Sequence, residues 1–97
     1  METKRPENIR FSRDVVVRNK AGLHLRPASK IVKAMADMDC QVTLRKNGKV
    51  ANAKSIMSVT TLIAPVKTVL TIEAVGPDAK VAVAALVSLF NKKFGEE

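Results

Sequence analysis

The chain has 97 residues, enough for one domain whose core most of the sequence must share. Seventeen Lys and Arg against nine Asp and Glu give a formal net charge of +8, which points to anionic partners, but three phenylalanines are the only aromatics and supply few platforms for stacking bases. A single cysteine, Cys40, and a single histidine, His24, exclude an internal disulfide framework and a zinc site built on several such ligands. No apolar run approaches the roughly 20 residues that span a bilayer, and the charged start METKRPENIR has no signal-peptide core. The expectation is a cytoplasmic, monomeric domain without cofactor or metal, binding neither nucleic acid nor membrane.

Residues 1–10 read as a flexible charged arm, and 11–97 as one domain. Phe11 to Arg18, with Val15-Val16-Val17 at its centre, predicts a strand. Asn19 to Gly22 makes a turn, and from Pro27 the period changes. Ala28, Ile31, Val32, Met35 and Met38 then share one helical face. Cys40, Val42 and Leu44 alternate with polar residues, and Asn47-Gly48 is a strong hairpin signal leading into a return strand, Lys49 to Ala53. Ser55 is placed to cap a short helix through Ile56, Met57, Val59, Leu62 and Ile63, ending near Pro65. Thr68 to Val75 reads as a strand with Leu70, Ile72 and Ala74 on one face. Asp78 is set to cap a last helix, in which Ala82, Ala85, Leu86, Leu89, Phe90 and Lys93 recur at helical spacing. The order β-α-β-β-α-β-α predicts an α+β sandwich with helices on one face of an antiparallel sheet.

The chemistry concentrates at Gly22-Leu23-His24-Leu25-Arg26-Pro27-Ala28. A lone loop histidine is usually inert, but this one lies between a turn glycine and a helix start. The free amides of that start, at Leu25 and Arg26, and the helix dipole form an anion site, to which the Arg26 guanidinium adds a fork suited to phosphate oxygens. A neutral imidazole beside such a site suits phosphoryl transfer through phosphohistidine. No second base, carboxylate pair or metal cluster lies nearby in sequence. The pattern is therefore that of a carrier rather than a complete catalyst.

This motif resembles the active-site signature of the HPr family, phosphocarriers of the bacterial phosphoenolpyruvate-dependent phosphotransferase system. Asn52-Ala53-Lys54-Ser55-Ile56-Met57-Ser58-Val59 resembles the family's second signature, and Asn47-Gly48-Lys49 also matches. The resemblance covers about residues 11 to 94 and implies an open-faced β-sandwich with a four-stranded antiparallel sheet and three helices on one face. It further implies that His24 is phosphorylated on Nδ1 by Enzyme I and passes the group to EIIA-type acceptors, with Arg26 as the active-site arginine. Ser55 matches the serine modified by HPr kinase/phosphorylase, through which a transcriptional regulator is engaged in some bacteria. Lys20, Ile56, Met57 and Val59 are expected to form the partner surface, within a basic rim that includes Lys30, Lys33 and Lys54.

Two alternatives stand beside sugar transport: a nitrogen-related regulatory branch of the system, and an interaction module controlled by Ser55 phosphorylation. The chain departs from the family pattern at Ala21, Thr60, Ile63 and Lys67. The last two stand where glycines are common, so the loop after the second helix is expected to turn by other means, through Pro65.

Overall fold

Residues 9–96 are described by the computed structural model. Strand β1 runs Arg10–Val16, helix α1 Leu25–Met35, β2 Gln41–Lys46, β3 Lys49–Asn52, α2 Ile56–Thr60, β4 Val69–Val75 and α3 Ala79–Asn91. A single 3-10 turn, Lys93–Gly95, follows α3. The four strands form one antiparallel sheet in the order β1-β4-β2-β3. This is the open-faced sandwich that the sequence implies.

Alternation in the strands decides which face is covered. Leu70, Ile72 and Ala74 of β4 point inward with Val42 and Leu44 of β2 and Val15 of β1, and all are buried. The opposite face carries polar groups: Glu73 bridges Arg10 at 2.8 Å and Arg45 at 3.8 Å, and Thr71 donates to Asp14 at 2.7 Å. Helix α3 lays Ala82, Val83, Leu86 and Phe90 onto the sheet, at the spacing of one helical face. Helix α1 contributes Ala28, Ile31 and Met35 to the same core. Asn47 and Gly48 take φ of 49° and 84°, so the β2–β3 hairpin turns on the two residues the sequence marks for it.

Several element ends differ from expectation. Of the predicted arm, residues 1–8 lie outside the described residues, while Arg10 already pairs with Val75 and Ile9 packs against the core. Helix α1 begins at Leu25 rather than Pro27, which puts Pro27 in the first turn, where its missing N–H costs no hydrogen bond. Met38 falls beyond the end of α1, and Lys93 beyond that of α3. Asp78 does not cap α3 with its side chain; its Oδ2 instead accepts from the Asp39 amide at 2.7 Å, tying the α1–β2 loop to the start of α3. Helix α2 stops at Thr60, three residues short of the expected end. The loop does turn at Pro65, whose carbonyl accepts from the Thr68 amide at 3.1 Å, but it also needs Ile63 and Lys67 at φ of 49° and 77°, the conformation glycine would take.

Candidate functional site

His24 is the N-cap residue of α1, with extended backbone and a side chain 40% exposed. Its position follows from the turn before it. Gly22 has a φ of 75°, and a Cβ there would lie 2.6 Å from the Ala64 carbonyl oxygen, so only glycine lets the loop before β4 approach this closely. The Leu23 amide then donates to that same oxygen at 2.8 Å. Asn19, fully buried, supports the turn from within by donating Nδ2–H to the Gly22 carbonyl at 2.6 Å.

The two nitrogens of the imidazole face different chemistry. Nδ1 looks at the helix start, where the Arg26 amide donates to it at 3.4 Å. That contact is long for a hydrogen bond, so the lone pair is aimed at the helix N-terminus and stays accessible. Nε2 faces the Glu96 carboxylate, with Oε1 at 3.2 Å. The same Oε1 accepts from Asn19 Nδ2 at 3.2 Å. Burial is the largest single influence on the Glu96 carboxyl and pushes it up. The hydrogen bonds from His24 and Asn19, with the charges of His24 and Arg26, outweigh it and hold the group below the ordinary carboxylate range.

Glu96 reaches His24 because the segment after α3 folds back. Lys93 and Phe94 both have φ of 55°, and Phe94 is buried with its ring edge-on to Phe90, centroids 4.8 Å apart. Lys30 of α1 donates its ammonium to the Phe94 carbonyl.

Large apolar side chains are exposed on α1, on α2 and in the loop that follows α2. Leu25 is 63% exposed, Met57 81% and Ile63 71%. An open depression of about 350 Å³ beside the imidazole is lined by Ala21, Leu23, Thr60, Ile63 and Pro65. Ser55 is the N-cap of α2, its Oγ accepting from the Ser58 amide at 3.3 Å, and Ile56 follows at the edge of the exposed patch.

The expected partner surface needs correction at Val59, which is fully buried. Two residues on from the exposed Met57, and so about 200° around the helix from it, Val59 takes the inward side of α2 and belongs to the core with Leu62. Lys20, Arg26 and Lys33 are exposed as expected, but Lys30 and Lys54 have structural work: Lys54 donates to the Met38 carbonyl at 2.6 Å, beyond the end of α1. Cys40 is partly buried, and that burial pushes its thiol up, as suits a structural rather than a reactive cysteine. The sequence reading missed Asn19 and Glu96. In the sequence Asn19 reads only as a turn residue, and nothing local to Glu96 signals its partner.

Among the described residues no cluster of three or more His, Cys, Asp or Glu could hold a metal ion, and no helix is long and apolar enough to cross a membrane. The arrangement presents a half-exposed imidazole at a helix start, with Glu96 behind it, Arg26 beside it and exposed apolar side chains on the elements nearby.

Known proteins share this arrangement of sequence and fold. Residues 11–92 match the family described as PTS HPr component phosphorylation site. The chain is 39% identical over 86 residues to the phosphocarrier protein HPr of Cupriavidus necator, covering 89% of this chain and 97% of that one. It is 38% identical over 91 residues to the phosphoryl donor subunit DhaM of the PEP-dependent dihydroxyacetone kinase of Pantoea ananatis, covering 94% of this chain but only 19% of that longer protein. Among solved structures, HPr of Thermoanaerobacter tengcongensis superposes with a TM-score of 0.85 at 38% identity, over 90% of this chain and 98% of that one.

Proposed function

The chain belongs to the HPr family of phosphotransferase-system phosphocarriers, and from that premise we propose that His24 Nδ1 is the atom that carries the phosphoryl group. The observation that carries this reading is the N-cap geometry, in which Nδ1 faces the Arg26 amide at the start of α1. The Nδ1 lone pair attacks phosphorus while the bond to the donor's leaving atom breaks, and the metaphosphate-like charge passes over the helix start. The α1 amides and dipole, with the Arg26 guanidinium, partly neutralise the bound group without enclosing it. His24 remains exposed, so the group can be given up again. On this reading the donor is phosphorylated Enzyme I and the recipients are EIIA-type proteins. Both dock on the apolar patch of Leu25, Ile56, Met57 and Ile63, with Lys20, Arg26 and Lys33 on its basic rim.

Ser55 is a second, regulatory site on the same reading. A phosphate on its Oγ would lie at the start of α2, next to Ile56 and Met57. Negative charge there acts on docking more than on the fold.

Incubation with phosphoenolpyruvate and Enzyme I tests the carrier role. Intact mass should show one acid-labile phosphoryl group on the wild type and none on His24→Ala. Equal labelling of the two proteins would remove His24 from the mechanism.

A further inference from the structure

We infer that Glu96 is a positioning residue which, by holding His24 Nε2–H, turns Nδ1 toward the phosphoryl group. The inference rests on the carrier reading of His24 and adds a residue to it. A carboxylate only accepts hydrogen bonds, so the nitrogen 3.2 Å from Glu96 Oε1 is the one that carries the proton. A backbone amide only donates, so the nitrogen facing Arg26 N presents its lone pair. Both neighbours select the same neutral tautomer and the same ring orientation. The carboxylate also stands guard at Nε2, where its charge repels an incoming phosphate and leaves Nδ1 as the approachable atom.

Glu96 is held for this role. Asn19, buried and bonded to the Gly22 carbonyl, donates to the same Oε1 at 3.2 Å, so one side chain ties the turn before His24 to the carboxylate behind it. Phe94, two residues earlier, is anchored in the core, and Lys30 secures its carbonyl to α1. The Glu96 side chain is only 14% exposed.

The proton balance is simple. When Nδ1 forms its bond to phosphorus and the donor's bond breaks, the Nε2 proton stays on the ring, facing Glu96. The phosphorylated ring then carries positive charge opposite the carboxylate. On onward transfer the N–P electron pair returns to Nδ1, and the proton on Nε2 has not moved. Glu96 therefore never takes the proton; it acts through the orientation and charge of the ring, as the carboxylate of a catalytic triad does.

Two variants test this in the full chain. Glu96→Ala removes the acceptor; Glu96→Gln keeps an acceptor oxygen and removes the charge. Three quantities are read: the ring Nε2–H resonance of neutral His24 by 1H–15N correlation, the single-turnover rate of phosphoryl transfer from Enzyme I, and the affinity for Enzyme I. Glu96→Ala should lose the Nε2–H signal to solvent exchange and slow single-turnover transfer about tenfold, with affinity within about twofold of wild type. Glu96→Gln should recover the resonance and part of the rate. A normal rate in Glu96→Ala overturns the inference, as does a rate loss with the Nε2–H signal intact or one seen wholly as weaker association. If wild type itself takes no phosphoryl group, it is the carrier reading that falls; wild type labelled at the same rate as Glu96→Ala removes only the role of Glu96.

Discussion

Arg26 offers two different groups to the site. Its amide donates to His24 Nδ1, while its guanidinium lies on the exposed side of α1. Arg26→Ala keeps the first and deletes the second, so the helix start survives and a delocalised charge is lost. Transfer from phosphorylated Enzyme I should slow on the order of tenfold in rapid-quench kinetics, with little change in melting temperature. An unchanged rate would mean that the amides and the dipole suffice. Ser55 separates in a similar way. Ser55→Ala removes the oxygen that accepts from the Ser58 amide and should cost about 0.5–2 kcal/mol of stability while transferring almost normally. Ser55→Asp keeps a capping oxygen and adds charge. It should hold its stability yet weaken association with Enzyme I, an effect that changes with ionic strength. Thermal unfolding and transfer kinetics on both variants decide between a cap and a switch. His24 and Ser55 were legible in the sequence because an N-cap is a local device, with its partners two or three residues away. Glu96 was not, because its contact with His24 spans 72 positions and depends on how Phe94 packs.

At the scale of elements, the loop between α2 and β4 is where the local rules and the backbone disagree. Leu62 continues the apolar period of α2 and is buried, which is why the sequence reads as helix to Ile63. The helix cannot continue to that point because Ile63 takes a left-handed conformation, and Lys67 takes another in the turn from Pro65 to Thr68. The exposed carbonyls of this bend are met by lysines from the hairpin: Lys46 Nζ donates to the Ile63 carbonyl at 2.6 Å and Lys49 Nζ to that of Thr61 at 3.3 Å. A β-branched residue at positive φ costs about 1–2 kcal/mol, and Ile63, 71% exposed, buries little in return. Ile63→Gly should therefore raise stability by about 0.5–1 kcal/mol after glycine's own entropy is counted, a gain of a few degrees in melting temperature. A lower melting temperature would show that Ile63 packs better than its exposure implies. The strands were easier to read. Period-2 alternation in β4 gave its inward residues directly, because one face of the sheet is covered by helices and the other by solvent.

The whole molecule carries a net charge of +8, but its acidic groups are not scattered evenly in function. Glu73 serves the open face of the sheet; Glu96 serves the site. Because the folded state depresses the Glu96 carboxyl, its ionised form contributes stability above the unfolded carboxylate's range, and the contribution is lost as pH falls through the depressed folded value. The stability difference between wild type and Glu96→Gln should accordingly shrink as the pH falls below about pH 4. Chemical denaturation of both proteins across that range checks the sign; a difference that grows on acidification would contradict it.

The pairing of Val16 with Val69, and the seat of Gly22 against Ala64, bear on when in its life the protein becomes competent. His24 is synthesised early, yet its neighbours arrive late: the Ala64 carbonyl, in the loop before β4, holds the turn before it, and Glu96 comes 72 residues after it. The contacts that build the site are thus of high sequence separation, the kind that form slowly and close to the end of folding. A growing chain emerges N-terminal part first, at about 5–20 residues per second, so for several seconds the histidine exists without its site. Stalled chains ending before Val69 should take no label from phosphoenolpyruvate and Enzyme I, whereas full-length chains take it stoichiometrically. On the carrier reading, unfinished copies would then draw no phosphoryl groups from the donor, and labelling would begin only once the late contacts are in place.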